Sequence, residues 1–126
     1  MGLLNRLLGN STETDISKVE EKLNDLLCEG EQVLGAYQLI RDLLVLTDSR
    51  LIFVDKKGIT GKRTLFVSIP YHQVLRFSVE TAGHLDIDSE LRIWLCHSAE
   101  PLVWEFGSSK QAVAAQRQIA AGTFRR

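Results

Sequence analysis

From residue 31 to residue 107 the apolar positions recur in short runs. "EQVLGAYQLIR", "DLLVLT", "RLIFVDK", "KRTLFVSIP", "VLRFSVET", "ELRIWLCH" and "PLVWEFG" are rich in Val, Leu, Ile, Phe and Trp and are bounded by turn residues. Several alternate with period two, as a half-buried strand does. Leu65, Val67 and Ile69 share one side, and Leu75, Phe77 and Val79 share another, with Arg76, Ser78 and Glu80 opposite. Leu91, Ile93 and Leu95 alternate with Arg92, Trp94 and Cys96, and Leu102, Trp104 and Phe106 with Val103 and Glu105. Runs this closely spaced predict antiparallel hairpins, because parallel strands need long crossovers.

Helical spacing flanks the strands. Leu3, Leu4, Leu7 and Leu8 form a short stripe, the cap-rich "NSTET" breaks it, and Ile16, Val19, Leu23, Leu26 and Leu27 then recur every three or four residues. Ser17 with Glu20 has capping-box spacing, and Gly30 is placed to end the segment. At the other end "SSKQAVAAQRQIAAG" predicts a helix capped by Ser108 or Ser109 and stopped by Gly122. Its modest apolar face is Ala112, Val113, Gln116, Ile119 and Ala120. Seven antiparallel strands leave edges and ends open, and a small barrel plugged by the terminal helix closes them. The expected organisation is a helical segment over residues 1–29 followed by a β domain with its capping helix over residues 30–126.

Composition narrows the function. The chain has 126 residues, 44% of them hydrophobic, and this suffices for one domain with its own core. The formal net charge of −1 lacks the basic excess of a general nucleic-acid binder, so no nucleic-acid partner is expected. Cys28 and Cys96 fit no metal or redox spacing and predict reduced thiols in a cytoplasmic protein. No apolar run reaches the roughly 18 residues of a membrane span.

No cofactor or catalytic constellation emerges. His72, His84 and His97 are scattered, and Cys96 and His97, being adjacent, would point to opposite sides of a strand. "DIDSE" opens like a calcium loop but carries Leu91 where the loop glycine belongs and His97 where the bidentate Glu belongs. In "DKKGITGKRTLF" Gly58 and Gly61 are too close together for a phosphate-binding loop, Arg63 follows Lys62, and a strand comes next. The expectation is a non-enzymatic protein.

The stretch "LLVLTDSRLIFVDKKGITGKRTLFVSIPYHQVLRFSVET" resembles the bacterial pleckstrin-homology family. The resemblance is carried by residues 46–51, where a strand ends in "LTDSRL", by the Pro-Tyr step within 68–71, by "FSVE" at 77–80 and by "ELRIW" at 90–94. It extends over residues 15–122 and implies a pleckstrin-homology-like barrel of seven antiparallel strands capped by a C-terminal helix. It further implies a non-catalytic module whose protomers join strand to strand in a ring, with a hydrophilic patch at the junction suited to an unidentified protein partner. The Lys/Arg cluster that holds a lipid headgroup in eukaryotic relatives is not carried over. The first hairpin loop, "LIRDLL", has Arg41 alone beside Asp42.

Two readings of the surface follow. In the first, the protein forms a homo-oligomer, and Asp48, Arg50, Lys62, Arg63, Ser68 and Arg76 are the interaction residues. Five basic residues and no acid lie between Lys56 and Arg76, whereas four acids and no Lys or Arg lie between Glu80 and Glu90, as a head-to-tail contact would use. In the second, Lys56, Lys57, Lys62 and Arg63 touch an anionic lipid surface while the N-terminal leucines dip into it. "LLVL" and "LIFV" are apolar on both strand faces, a surplus met either by an interface or by the N-terminal helix packing on its own barrel. "TDSR" at 47–50 and Pro70 also have a purely structural reading, as a tight turn and a strand end.

Overall fold

A computed structural model describes residues 13–39, 42–57, 63–81 and 88–125, without the side chains of 13–15 and 56–57. The described elements are α1 (Glu13–Lys22), β1 (Val33–Gln38), β2 (Leu43–Thr47), β3 (Arg50–Lys57), β4 (Arg63–Pro70), a 3-10 turn (Tyr71–Gln73), β5 (Val74–Glu80), β6 (Ser89–Leu95), β7 (Leu102–Phe106) and α2 (Ser109–Phe124). All seven expected strands form. The N-terminal leucine stripe and Arg41 lie outside the described residues.

The strands make two antiparallel sheets, β1-β2-β3-β4 and β5-β6-β7. The pleckstrin-homology-like architecture is present, with the expected barrel taking the form of two sheets facing one core. The consecutive strands β4 and β5 are not paired to one another; Pro70, unable to donate to a ladder, precedes the 3-10 turn that carries the chain between sheets. The shared core holds Leu44, Leu46 and Leu51 of the first sheet against Leu91, Ile93, Trp104 and Phe106 of the second. Burying each of these side chains contributes about 1.5–3 kcal/mol.

Helix α2 closes one end. Ser108 caps it, its side chain accepting a hydrogen bond from the Gln111 amide at 3.2 Å. The buried face is Ser109, Ala112, Ala115, Ile119 and Thr123, whereas Val113 is 48% exposed. The expected face was thus rotated by about one position, because small alanines, not the larger Val113, let the helix approach the sheets. Gly122 does not stop the helix, which runs on to Phe124. It serves instead as a close approach, since a Cβ there would sit 2.6 Å from the Tyr71 ring.

Helix α1 packs on the outer face of the first sheet, where its Val19 and, in the turn just after it, Leu23 cover Val33, Ala36, Leu43, Val45, Ile52 and Val54. The surplus apolar side of "LLVL" and "LIFV" is buried within the chain, and every residue of β2 is buried. Ser17 and Glu20 lie inside α1 instead of at its start, and Glu20 accepts a hydrogen bond from the Val33 amide at 3.2 Å. Gly30 falls after the helix in a turn, at φ +85°, a conformation that glycine adopts without strain. Among the described residues no helix is long and apolar enough to cross a membrane.

Candidate functional site

The "LTDSR" corner joins β2 to β3, and its chemistry begins with Thr47. Its hydroxyl oxygen accepts hydrogen bonds from the amides of Ser49 and Arg50, both at 3.0 Å, and this shapes the turn. The hydroxyl donates to Glu31 Oε2 at 2.7 Å. Arg50 grips the same carboxylate in a fork, Nε to Oε2 at 2.8 Å and Nη2 to Oε1 at 2.9 Å. Its remaining donors reach the Leu26 carbonyl and Ser68 Oγ, each at 2.9 Å. The Arg50 hydrogen bonds hold the Glu31 carboxyl far below the usual carboxylate range, at about 2, while Glu31 raises the affinity of Arg50 for its proton. The Tyr71 hydroxyl donates to the Thr47 carbonyl at 2.7 Å and has its pKa raised, chiefly by burial.

Asp48 sits exposed at the tip of this corner, its Oδ1 accepting from the Gln32 amide at 3.3 Å and the Ser49 hydroxyl at 3.2 Å. The structure therefore brings Asp48, Arg50 and Ser68 into one polar corner. Glu31, on which that corner is built, escaped the sequence reading; the signal available was an acid placed just before β1 while an arginine opened β3.

The remaining expected residues lie elsewhere. Arg63 opens β4, exposed and opposite Lys57. Lys62 lies outside the described residues, as do the side chains of Lys56 and Lys57. Arg76 is on the second sheet, where its guanidinium stacks over the Trp94 ring with its carbon 4.2 Å from the centroid. Leu65, Val67 and Ile69 share the inner side of β4, but burial grades from exposed to buried along them as the strand runs off the core. Leu75 does not join Phe77 and Val79: a bulge between Val74 and Arg76 leaves it 67% exposed.

The outer face of the second sheet carries the acidic segment. Glu80 is opposite Glu90, and Glu90 is opposite Glu105, so three carboxylates lie along one rung. Arg92 bonds Glu90 at 2.7 Å, and Glu80, Asp88, Glu90, Arg92 and Glu105 border a shallow hollow of about 390 Å³. A second cleft of about 490 Å³ lies between β7 and the first sheet, bordered by Leu39, Asp42, Phe53, Leu102, Trp104 and Glu105. In its floor Phe53 stacks on Trp104 with centroids 5.4 Å apart.

Known proteins agree with this architecture. The family model of the bacterial PH domain matches residues 2–122. The uncharacterized protein YjqA of Bacillus subtilis (strain 168) is 49% identical over 122 residues, 96% of this chain and 98% of that protein. YozO of the same strain, also uncharacterized, is 36% identical over 81 residues, covering 64% of this chain and 67% of that protein. Among solved structures, a pleckstrin-homology domain from Shewanella amazonensis SB2B superposes with a TM-score of 0.79 at 41% identity, over 97% of this chain and 98% of that one. A DUF1696-family protein with a pleckstrin-homology domain from Shewanella loihica PV-4 gives 0.77 at 38%, over 86% and 93%. With its strand order, its capping helix and a family-model match over residues 2–122, the chain belongs to the bacterial pleckstrin-homology domain family.

Proposed function

We propose that this domain is a non-catalytic module that assembles head-to-tail into a cyclic homo-oligomer and docks a protein partner on the polar surface beside each junction. The observation that carries this reading is the pair of edges at β4 and β5, unpaired among the described residues, which bear exposed apolar side chains. Leu65 is 44% exposed, Phe66 39% and Leu75 67%. Soluble proteins usually blunt such edges, and an apolar edge left open is a template for another strand. Two different edges make a heterologous contact, which closes into a ring when the rotation allows.

Charge supports the same pairing. The β4 edge begins at Arg63 next to Lys62, and the β5 edge ends at Glu80, with Glu90 opposite it on β6. Asp48, Arg50 and Ser68 supply the polar surface for the partner, and Arg76, on the β5 edge, lies at the junction itself. The free thiols of Cys28 and Cys96 suit a reducing compartment, in keeping with a cytoplasmic setting.

Light scattering after size exclusion tests the assembly. The expected mass is a whole multiple of 14.2 kDa that falls as salt is raised. A Leu65→Asp/Phe66→Asp double variant is expected to run as a folded monomer. A wild-type monomer at high protein concentration and low salt overturns the reading.

A further inference from the structure

The cleft beside β7 has features that the assembly does not use. Four consecutive residues, Leu102 to Glu105, border it, and among the described residues this side of β7 has no paired strand. Both side-chain faces of β7 and its backbone therefore meet the same space. On the inner face the floor is apolar and aromatic, Trp104 stacked on Phe53, with Leu39 and Leu102 beside them. On the outer face the rung Glu80–Glu90–Glu105 ends at this edge. Like charges directly opposite one another destabilise a sheet, and among the described residues Arg92 bonds Glu90 but not Glu80 or Glu105.

We propose that this edge is a docking site for an extended segment of a partner protein with the pattern apolar–basic–apolar. A strand laid along β7 places one residue opposite Glu105, on the outer face, where a Lys or Arg supplies a cation beside that carboxylate. Its neighbour opposite Trp104 turns toward the inner side, over the Trp104–Phe53 floor, and the one opposite Phe106 turns the same way just beyond the cleft. Main-chain hydrogen bonds to β7 supply affinity, and the alternating side chains supply selectivity. The register alone thus specifies the occupant: acidic segments are repelled at the rung, and uniformly polar ones leave the floor unfilled. The site lies on the edge of the second sheet opposite β5 and does not depend on the ring.

The test uses the full chain carrying Trp94→Phe, so that Trp104 is the only indole, and the capped peptide acetyl-Gly-Leu-Arg-Leu-Arg-Leu-Gly-amide. Saturable changes in Trp104 emission are expected. Replacing both arginines of the peptide by glutamate, or introducing Glu105→Lys in the protein, is expected to weaken binding about tenfold. Glu21→Lys, the same change of charge on α1, is expected to leave it unchanged. Methylating alternate peptide amides is expected to abolish binding without altering the protein. Equal affinity for the arginine and glutamate peptides, or for the methylated one, overturns the proposal. So does an equal loss with Glu21→Lys, which would mean general charge attraction. Failure of the peptide to bind overturns the proposal, and if Glu105→Lys also lowers the molar mass of the assembly, the cleft is a contact between copies. In that case the assembly itself still stands.

Discussion

The two sheets share one core but treat their outer faces in opposite ways. On the first, Ala36, Val45 and Ile52 form one cross-strand row and Leu43 and Val54 another, and α1 covers both. On the second, Arg76, Ser78, Glu80, Arg92 and Glu105 face outward with no helix over them among the described residues. A sheet buried on both sides needs apolar residues at every position, and a sheet open on one side needs alternation. The comparison divides the molecule into a stability half and a surface half. The outer residues of the first sheet are committed to holding α1, and those of the second stay exposed or half-buried.

The largest effect should come from carrying a charge across that divide. Ile52 is fully buried under α1, so Ile52→Glu is expected to cost about 4 kcal/mol or more through an unpaired buried carboxylate. Ser78→Glu places the same side chain at an exposed position opposite Arg92 and should change stability by no more than about 0.5 kcal/mol. Urea titrations followed by circular dichroism measure both. Comparable losses at the two sites would erase the distinction between the sheets.

An intermediate effect is expected where the segment after α1 is tied to the first sheet. The Glu31 side chain is only 3% exposed and is gripped by Arg50 and Thr47, so Glu31→Gln should cost about 3 kcal/mol. The pH dependence has a definite sign. The folded-state pKa lies below the unfolded one, so the ionised carboxylate stabilises the fold fully above about 4.5, and this is lost as pH falls toward about 2. The gap in melting temperature between wild type and Glu31→Gln should therefore narrow on acidification through that window. A gap that stays constant would show that the carboxylate charge is not what fastens the segment.

The alternating strands were legible in the sequence because period two is a local signal that the inner rows Leu91–Ile93 and Trp104–Phe106 express directly. The cover on the first sheet was legible only as a surplus, since β2 and β3 hold more apolar residues than one core face needs, and the sequence does not say what covers the rest. What escaped depends on contacts distant in the chain. Gly122 reads as a helix stop until Tyr71 is seen to occupy the space a Cβ would fill. Glu31 reads as a loop acid until Arg50 arrives from 19 residues away. Leu75 fits the alternation of β5 because a bulge shifts register without a local marker in this strand. Of the candidate site, the corner residues Asp48, Arg50 and Ser68 were picked out by motif, and their physical roles rest on a partner that the motif does not include.

The smallest effect belongs to the open sheet. Arg76 lies over Trp94 at the surface, where such a contact is worth about 0.5–1 kcal/mol. Arg76→Ala should lower the denaturation midpoint only by that amount, and Arg76→Lys by less, because an ammonium retains part of the attraction to the ring. The same two variants separate stability from association. Arg76 belongs to the proposed junction surface, so Arg76→Ala should weaken assembly in light scattering while the monomer fold is nearly unaffected. A loss as large as that of Ile52→Glu would make the Arg76–Trp94 pair a structural tie of the second sheet. Its outer face would then hold the fold together as α1 does for the first, and the division into a stability half and a surface half would fail.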